Sequence, residues 1–314
     1  MRVGIPRALT YHDYFPLWET FFHNLGCEVV TSPPTTPEIA NAGVTLAGDD
    51  VCYPVKVMYG HVAELANRVD VIYVPRLFST AGGTCECPKL IGLADMLRHS
   101  IPRLPPLISP YVNLRRGKRG LWRAIYATAA PITRNPRRIF RAYQAGKKEL
   151  IAYQRRYQTG LLPNESKSPA ADKGQLAIIG HSYNIYDGYV NLRLVERLLA
   201  RGYRVLTPQM LSKRALAEAN KILRKPLFWS AGRTVFGAGA YYARRPDVAG
   251  IIHLASFGCG LESLLIDLVQ RVANAHGKPL LLLTMDEHTG AAGVETRLEA
   301  FLDMLAWKED VACV

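Results

Sequence analysis

Nowhere in the 314 residues do apolar side chains run uninterrupted for the roughly 18 positions a membrane span requires, so no spanning helix is expected. The opening MRVGIPRALTYHDY lacks the charged-then-apolar order of an export signal and passes straight into structure, which makes the cytoplasm the expected compartment. Cysteine is scarce. Six residues, at 27, 52, 85, 87, 259 and 313, are too few for the disulfide framework of a small secreted protein, and reduced thiols are expected. No phosphate-binding G-x-x-x-x-G-K-[ST] occurs, and GAGAYYARR is no substitute for one. Acidic residues are short in one stretch above all: residues 111–170 hold fourteen Lys and Arg, from Arg115 to Lys167, against only Glu149 and Glu165. That surplus of twelve nearly equals the formal charge of the whole chain, +13, so an electrostatic partner would meet one localised surface. No nucleic-acid reading motif accompanies it. RNA or an anionic membrane surface is therefore a lesser expectation than a solvated helical face or a dock for an acidic protein.

What is present is a hydrophobic content of 49% arranged as short apolar strands alternating with amphipathic helices. Strand RVGIP, a helix around Tyr14–Leu25 closed by Gly26, strand CEVVTS, a Thr-Pro helix start, a helix over Pro54–Asn67 and strand VDVIYVP make a first series. Residues 120–158 have helical spacing, and LLPNESKSPAADKG reads as a linker. A second series runs from strand QLAIIGHS through VAGIIHLAS and KPLLLLTMDE to a terminal helix over about 292–306. The expected architecture is α/β: two Rossmann-like (flavodoxin-like) lobes with parallel sheets, at 1–110 and 171–314, and a basic helical insert and linker at 111–170. Such sheets gather ligand-binding loops beyond their carboxyl ends.

The cysteines divide by setting. Cys52, in GDDVCYPVK, opens a helix whose N-terminal N–H groups and dipole favour a thiolate, with a buried small residue as the alternative. Cys85 and Cys87 share the Gly-rich loop AGGTCECPKL, where C-x-C spacing alone is a poor metal signal. Cys259, in ASFGCGLESLL, has a glycine on each side, which lets a bulky inorganic group approach the backbone. Cys27 enters a strand and reads as core; Cys313 reads as a spectator. Three thiols from loops read as strand-to-helix connections, two in the first lobe and one in the second, could meet in an interlobe cleft. Zinc is the competing occupant, but structural zinc sites are local knuckles, and dispersed thiolates suit an iron–sulfur cluster better.

Other groups near these positions carry two readings each. Lys56 and Lys89 could offset the charge of a thiolate-bound cluster or be solvated lysines. Asp49 and Asp50 are read as caps of the Cys52 helix, and His61 as packed rather than ligating. In GHSYNIYDGYVN, His181, Tyr183, Asn184 and Tyr186 could line a substrate or cofactor pocket, or Asn184 and Asp187 could simply make a turn. In MDEHTG, Asp286, Glu287 and His288 suit proton transfer or helix capping.

The segments GIPRALTYHDYFPLWETFFHNLGCEVVTSPPT, CYPVKVMYGHV, CPKLIGLADMLR, GHSYNIYDGYVN, FGCG and MDEHTGAAGVETRLEAFLDML resemble the acyl-CoA dehydratase activase-related proteins of the 2-hydroxyacyl-CoA dehydratase and double-cubane-cluster superfamily. The resemblance extends from residue 1 to about 306 and is lowest across the basic stretch. It maps the family's cluster cysteines onto Cys52 of C-x-P-x-K, Cys87 of C-P-K and Cys259 of F-G-C-G; Cys85 has no counterpart and stands as an auxiliary thiol. GLES follows where relatives more often read GPDS. The resemblance implies a [4Fe–4S] cluster or a share of a double cubane, low-potential electrons from an ATPase activator protein, and a homodimer or a related dehydratase subunit as partner. It implies a dehydratase-like or reductase component, with a noncatalytic cluster carrier or scaffold as the second class; the thiols and the basic stretch by themselves leave a zinc or RNA-binding protein as the third.

Overall fold

A computed structural model describes residues 1–162 and 172–312. Part of the LLPNESKSPAADKG linker, with Glu165 and Lys167, and the spectator Cys313 lie outside the described residues. The chain forms two compact units: residues 1–156 with 227–231, and residues 157–226 with 232–314.

The first unit begins with β1 (Arg2–Ile5), α1 (Tyr11–Asn24), β2 (Glu28–Thr31), α2 (Pro37–Leu46) and α3 (Tyr53–Ala66). It continues with β3 (Val71–Tyr73), β4 (Arg76–Ser79), α4 (Pro88–Ser100), β5 (Leu107–Ile108), β6 (Tyr111–Asn113), α5 (Gly117–Ala129) and α6 (Pro136–Gln158). Four strands form a parallel sheet in the order β2-β1-β3-β5, so the connection reverses direction between β1 and β3. The sequence reading did not anticipate β4 and β6, a short parallel pair beside the main sheet. The Thr-Pro signal is realised: Thr36 caps α2 by accepting from the Ile39 N–H, with Pro37 in the first turn.

Helices α2 and α3 touch backbone to backbone. A Cβ on Gly60 would lie 1.9 Å from the Ile39 carbonyl oxygen, and one on Gly43 would lie 2.1 Å from that of Lys56. No larger residue fits at either crossing point, and this contact sets the axis of the helix that starts at Cys52. Phe21, Phe22, Val3 and Tyr73 form the core with Ile125, Ala129, Ile139 and Ala142. The apolar faces of the basic helices α5 and α6 are thus consumed by packing.

The second unit contains β7 (Gln175–Gly180), α7 (Ser182–Tyr186), α8 (Leu194–Ala200), β8 (Arg204–Leu206) and α9 (Lys213–Ala219). Then come α10 (Ser230–Ala243), β9 (Val248–Ser256), α11 (Gly260–Ala275), β10 (Leu280–Met285) and α12 (Ala291–Ala312). Its parallel sheet runs β10-β9-β7-β8, with the reversal between β7 and β9. The run VAGIIHLAS is apolar throughout because β9 is an inner strand with both faces covered. Helix α11 buries Leu261, Leu265, Val269 and Val272, a stripe at helical spacing. Each unit is therefore a Rossmann-like α/β layer, as expected.

Candidate functional site

In the first unit two thiols stand at helix N-caps. Cys52 caps α3 and Cys87 caps α4, each followed by proline in the first turn, whose missing N–H costs nothing there. The Cys52 carbonyl accepts from Val55 at 2.9 Å and the Cys87 carbonyl from Leu90 at 2.9 Å, so both residues are locked into the first helical turn. Cys52 does not follow a strand, contrary to the sequence expectation. It lies on the short turn from α2 to α3, and Cys87 follows β4 rather than VDVIYVP directly. Burial is the largest influence on the Cys52 thiol and pushes it up; the Val55 N–H opposes the rise, and Cys87 lies close enough to add to it. Burial outweighs the helix terminus at this position.

Asp50 does not cap α3, which has no side-chain cap. Its carboxylate instead accepts from Lys89 Nζ at 2.7 Å, which holds it below the usual carboxylate range. Asp50 stands two residues before Cys52 and Lys89 two after Cys87, so this pair ties the two thiol-bearing turns together. Cys52 is itself the N-cap, so Asp50 stands two residues outside the capping position. Lys56 is buried, only 5% exposed, and so is no solvated lysine. His61 is packed as expected: its ring nitrogens meet Thr35 Oγ1 at 2.9 Å and Ser32 Oγ at 2.8 Å, and burial pulls it down to about 4.

Cys85 is held differently from Cys87. Its N–H donates to the Phe228 carbonyl at 3.0 Å and its carbonyl accepts from Ser230 at 3.1 Å, a one-residue ladder with 227–231. Its buried sulfur takes the Arg115 guanidinium at 3.6 Å. Cys27 packs in the first core. None of the five described cysteines forms a disulfide.

In the second unit Cys259 caps α11 just beyond the carboxyl end of β9, at the sheet's point of reversal. Gly258 before it adopts φ +74°, and Gly260 after it faces open space. Three residues on, Glu262 is 1% exposed: His253 Nε2 hydrogen-bonds Oε2 at 2.8 Å, and His181 Nε2 stands 3.1 Å from Oε1 as a charge neighbour rather than a hydrogen-bond partner. Burial would raise this carboxyl, but the His181 charge and the His253 N–H together hold it below its ordinary value. His181 ends the loop after β7 and stacks on Tyr183 at 4.9 Å between ring centroids. Asn184 Oδ1 accepts from Ser256 Oγ at 3.0 Å, joining α7 to the end of β9.

The sequence nominates His181, Tyr183 and Asn184; the fold adds Glu262 and His253, neither of them nominated, the first within 3.1 Å of His181. The available signal was a histidine inside the apolar run VAGIIHLAS and an acid on the buried face of α11. Asp187 makes a turn, accepting from the Tyr189 and Val190 N–H groups. Asp286 likewise closes a turn on the His288 N–H and the Thr289 hydroxyl. Among the described residues no group of three or more His, Cys, Asp or Glu side chains is placed to hold a metal ion, and no helix is long and apolar enough to cross a membrane.

The family described as CoA enzyme activase uncharacterised domain (DUF2229) matches residues 2–211, which include Cys52, Cys85 and Cys87 but end before Cys259. No curated protein matches the chain. Two solved structures align with the chain. The Zn(II)-bound ZnuA-like domain of Streptococcus pneumoniae AdcA has 12% identity and a TM-score of 0.28, over 96% of this chain and 98% of that one. ZnuA has 11% identity and a TM-score of 0.28, over 98% of each chain. Agreement at that level bears on neither fold nor chemistry.

Proposed function

The chain belongs to the family of the CoA enzyme activase uncharacterised domain, and from that membership and the setting of its thiols we propose that it is an iron–sulfur protein serving a CoA-linked dehydration or reduction. The proposed ligands are Cys52 and Cys87 of the first unit and Cys259 of the second. The observation that carries the reading is the shared setting of these three: each is the N-cap of a helix, with proline or glycine within the next two residues. An N-cap thiolate faces unpaired backbone N–H groups, which compensate the negative charge that soft-metal ligation requires. In the first unit Cys52 and Cys87 lie within electrostatic reach of each other, and the Asp50–Lys89 pair fixes the turns that bear them. The donor set is all thiol, which suits a cluster of the [4Fe–4S] or double-cubane kind; Cys85, turned to Arg115, stays outside it.

When bound, such a group would accept and pass on single low-potential electrons. The chain's own residues would hold it, neutralise it with Lys89, and keep the second-unit edge dry around Asn184 and Ser256. In this proposal the electrons come from an ATPase activator protein, since no P-loop motif occurs in this sequence, and the recipient is a dehydratase of the 2-hydroxyacyl-CoA superfamily. Anaerobically prepared protein mixed with an ATP-dependent activator and dithionite should develop a reduced-cluster electron paramagnetic resonance signal that requires ATP. An iron- and sulfide-loaded protein that stays unreduced under every such mixture would contradict the electron-accepting role. The word activase in the family description favours one further reading, a noncatalytic carrier that loads or docks with a dehydratase. Reduction without any turnover of a 2-hydroxyacyl-CoA, alone or with the ATPase, would favour it.

A further inference from the structure

Charge is handled in two ways along this chain. Outside the basic stretch several cations are matched: Arg68 with Glu64, Arg76 with Asp95, Arg197 and Arg201 with Glu295, and Arg271 with Asp267. On α5 and α6 they are not. Arg119, Arg123, Arg137, Arg141, Lys147 and Lys148 are all exposed, and none makes an ion pair among the described residues. Arg119 with Arg123 and Arg137 with Arg141 stand four apart on their helices, an arrangement that opposes helix formation rather than supporting it. A face that is merely solvated has no need of this repulsion.

The same face has an apolar centre. Trp122 of α5 stacks on Phe140 of α6 at 5.6 Å and 20°. Around that stack Phe140 is 48%, Tyr126 39% and Ile151 40% exposed. We propose that this face of α5 and α6 is a docking surface for a protein partner bearing an acidic patch with an apolar centre of its own. Arginine around exposed aromatic side chains is the composition of a protein interface core and rim. A phosphate backbone would satisfy the cations but leave Ile151 in water, since an aliphatic side chain offers no stacking plane for a base. A bilayer surface needs a free apolar helix stripe, and those of α5 and α6 are spent in the first core, on Ile125, Ala129, Ile139 and Ala142. The inference stands independently of the thiols.

The test uses the full chain with three probes at matched charge: a poly(Glu,Tyr) copolymer, poly-U RNA, and phosphatidylglycerol vesicles, at near-physiological salt. The copolymer should bind tightest. The charge reversal Arg123→Glu with Arg141→Glu should weaken it by about tenfold or more, and Phe140→Ser should weaken it further. Arg123→Lys with Arg141→Lys should retain binding, and Arg271→Glu on the second unit should change nothing. All four sites are exposed, and far-UV circular dichroism checks that each variant is folded. Tighter binding to poly-U or to the vesicles, or copolymer binding indifferent to the charge reversal, would overturn the proposal.

Discussion

In the first unit Cys52 and Cys87 are set in place by backbone contact and a surface ion pair, whereas in the second Cys259 stands three residues from a carboxylate buried between two imidazoles. The first arrangement is inexpensive. Glycines 43 and 60 let α2 and α3 meet, the proline-headed helices start where they must, and Lys89 reaches Asp50 across solvent. The second carries a desolvation cost that pairing only partly offsets: Glu262 accepts from His253 and faces His181 at 3.1 Å. The difference teaches where each half is fragile. The first depends on shape, the second on charge.

The largest effect is expected where charge is buried. Glu262→Ala strands two imidazoles and should lower the stability of the second unit by roughly 3–5 kcal/mol, read from its urea midpoint. A loss below about 1 kcal/mol would erase the contrast between the units. Next comes shape in the first unit: Gly60→Ala places a methyl 1.9 Å from the Ile39 oxygen and should cost about 3 kcal/mol. Gly293→Ala, which meets open space on α12, should not destabilise and serves as its control. Equal effects from the two would show that the α2–α3 crossing is not set by glycine.

Acid should loosen the first unit through His61. Burial lowers this group from 6.5 to about 4, so its contribution is complete above pH 6.5 and is lost as pH falls toward 4. By about pH 5 the loss should reach about 2 kcal/mol. A His61→Asn variant should show a flatter pH profile; an unchanged slope would assign the acid sensitivity elsewhere. The smallest effect belongs to the Asp50–Lys89 pair, exposed and screened. Lys89→Ala should leave the unfolding midpoint within error at moderate salt, and a clear loss would mean the pair is more than a local tie.

Much of this was legible in the sequence because its signals are local. The apolar runs QLAIIG and VAGIIHLAS gave the second sheet, and glycine on both sides of Cys259 marked a loop entering a helix. Strands β4 and β6 were not legible, since four and three residues without alternation carry no period to read. Cys52 sits in a short turn between two helices, and nothing local to Gly48, Asp49 and Asp50 distinguishes that turn from a strand-to-helix loop. Glu262 escaped because an acid in the first turn of a helix has an ordinary explanation in the dipole, and only the fold brings His253 of β9 and His181 of the loop after β7 to it. Pairings of that range are decided by topology, not by neighbours in the chain.

The central claim concerns Cys52, Cys87 and Cys259 acting together, and iron and acid-labile sulfide content after anaerobic reconstitution tests it most directly. Wild-type protein should hold both elements, Cys52→Ser, Cys87→Ser and Cys259→Ser should each lose most of them, and Cys27→Ser should lose none. Full iron and sulfide in all three ligand variants, or stoichiometric zinc without sulfide in the wild type, would contradict the account.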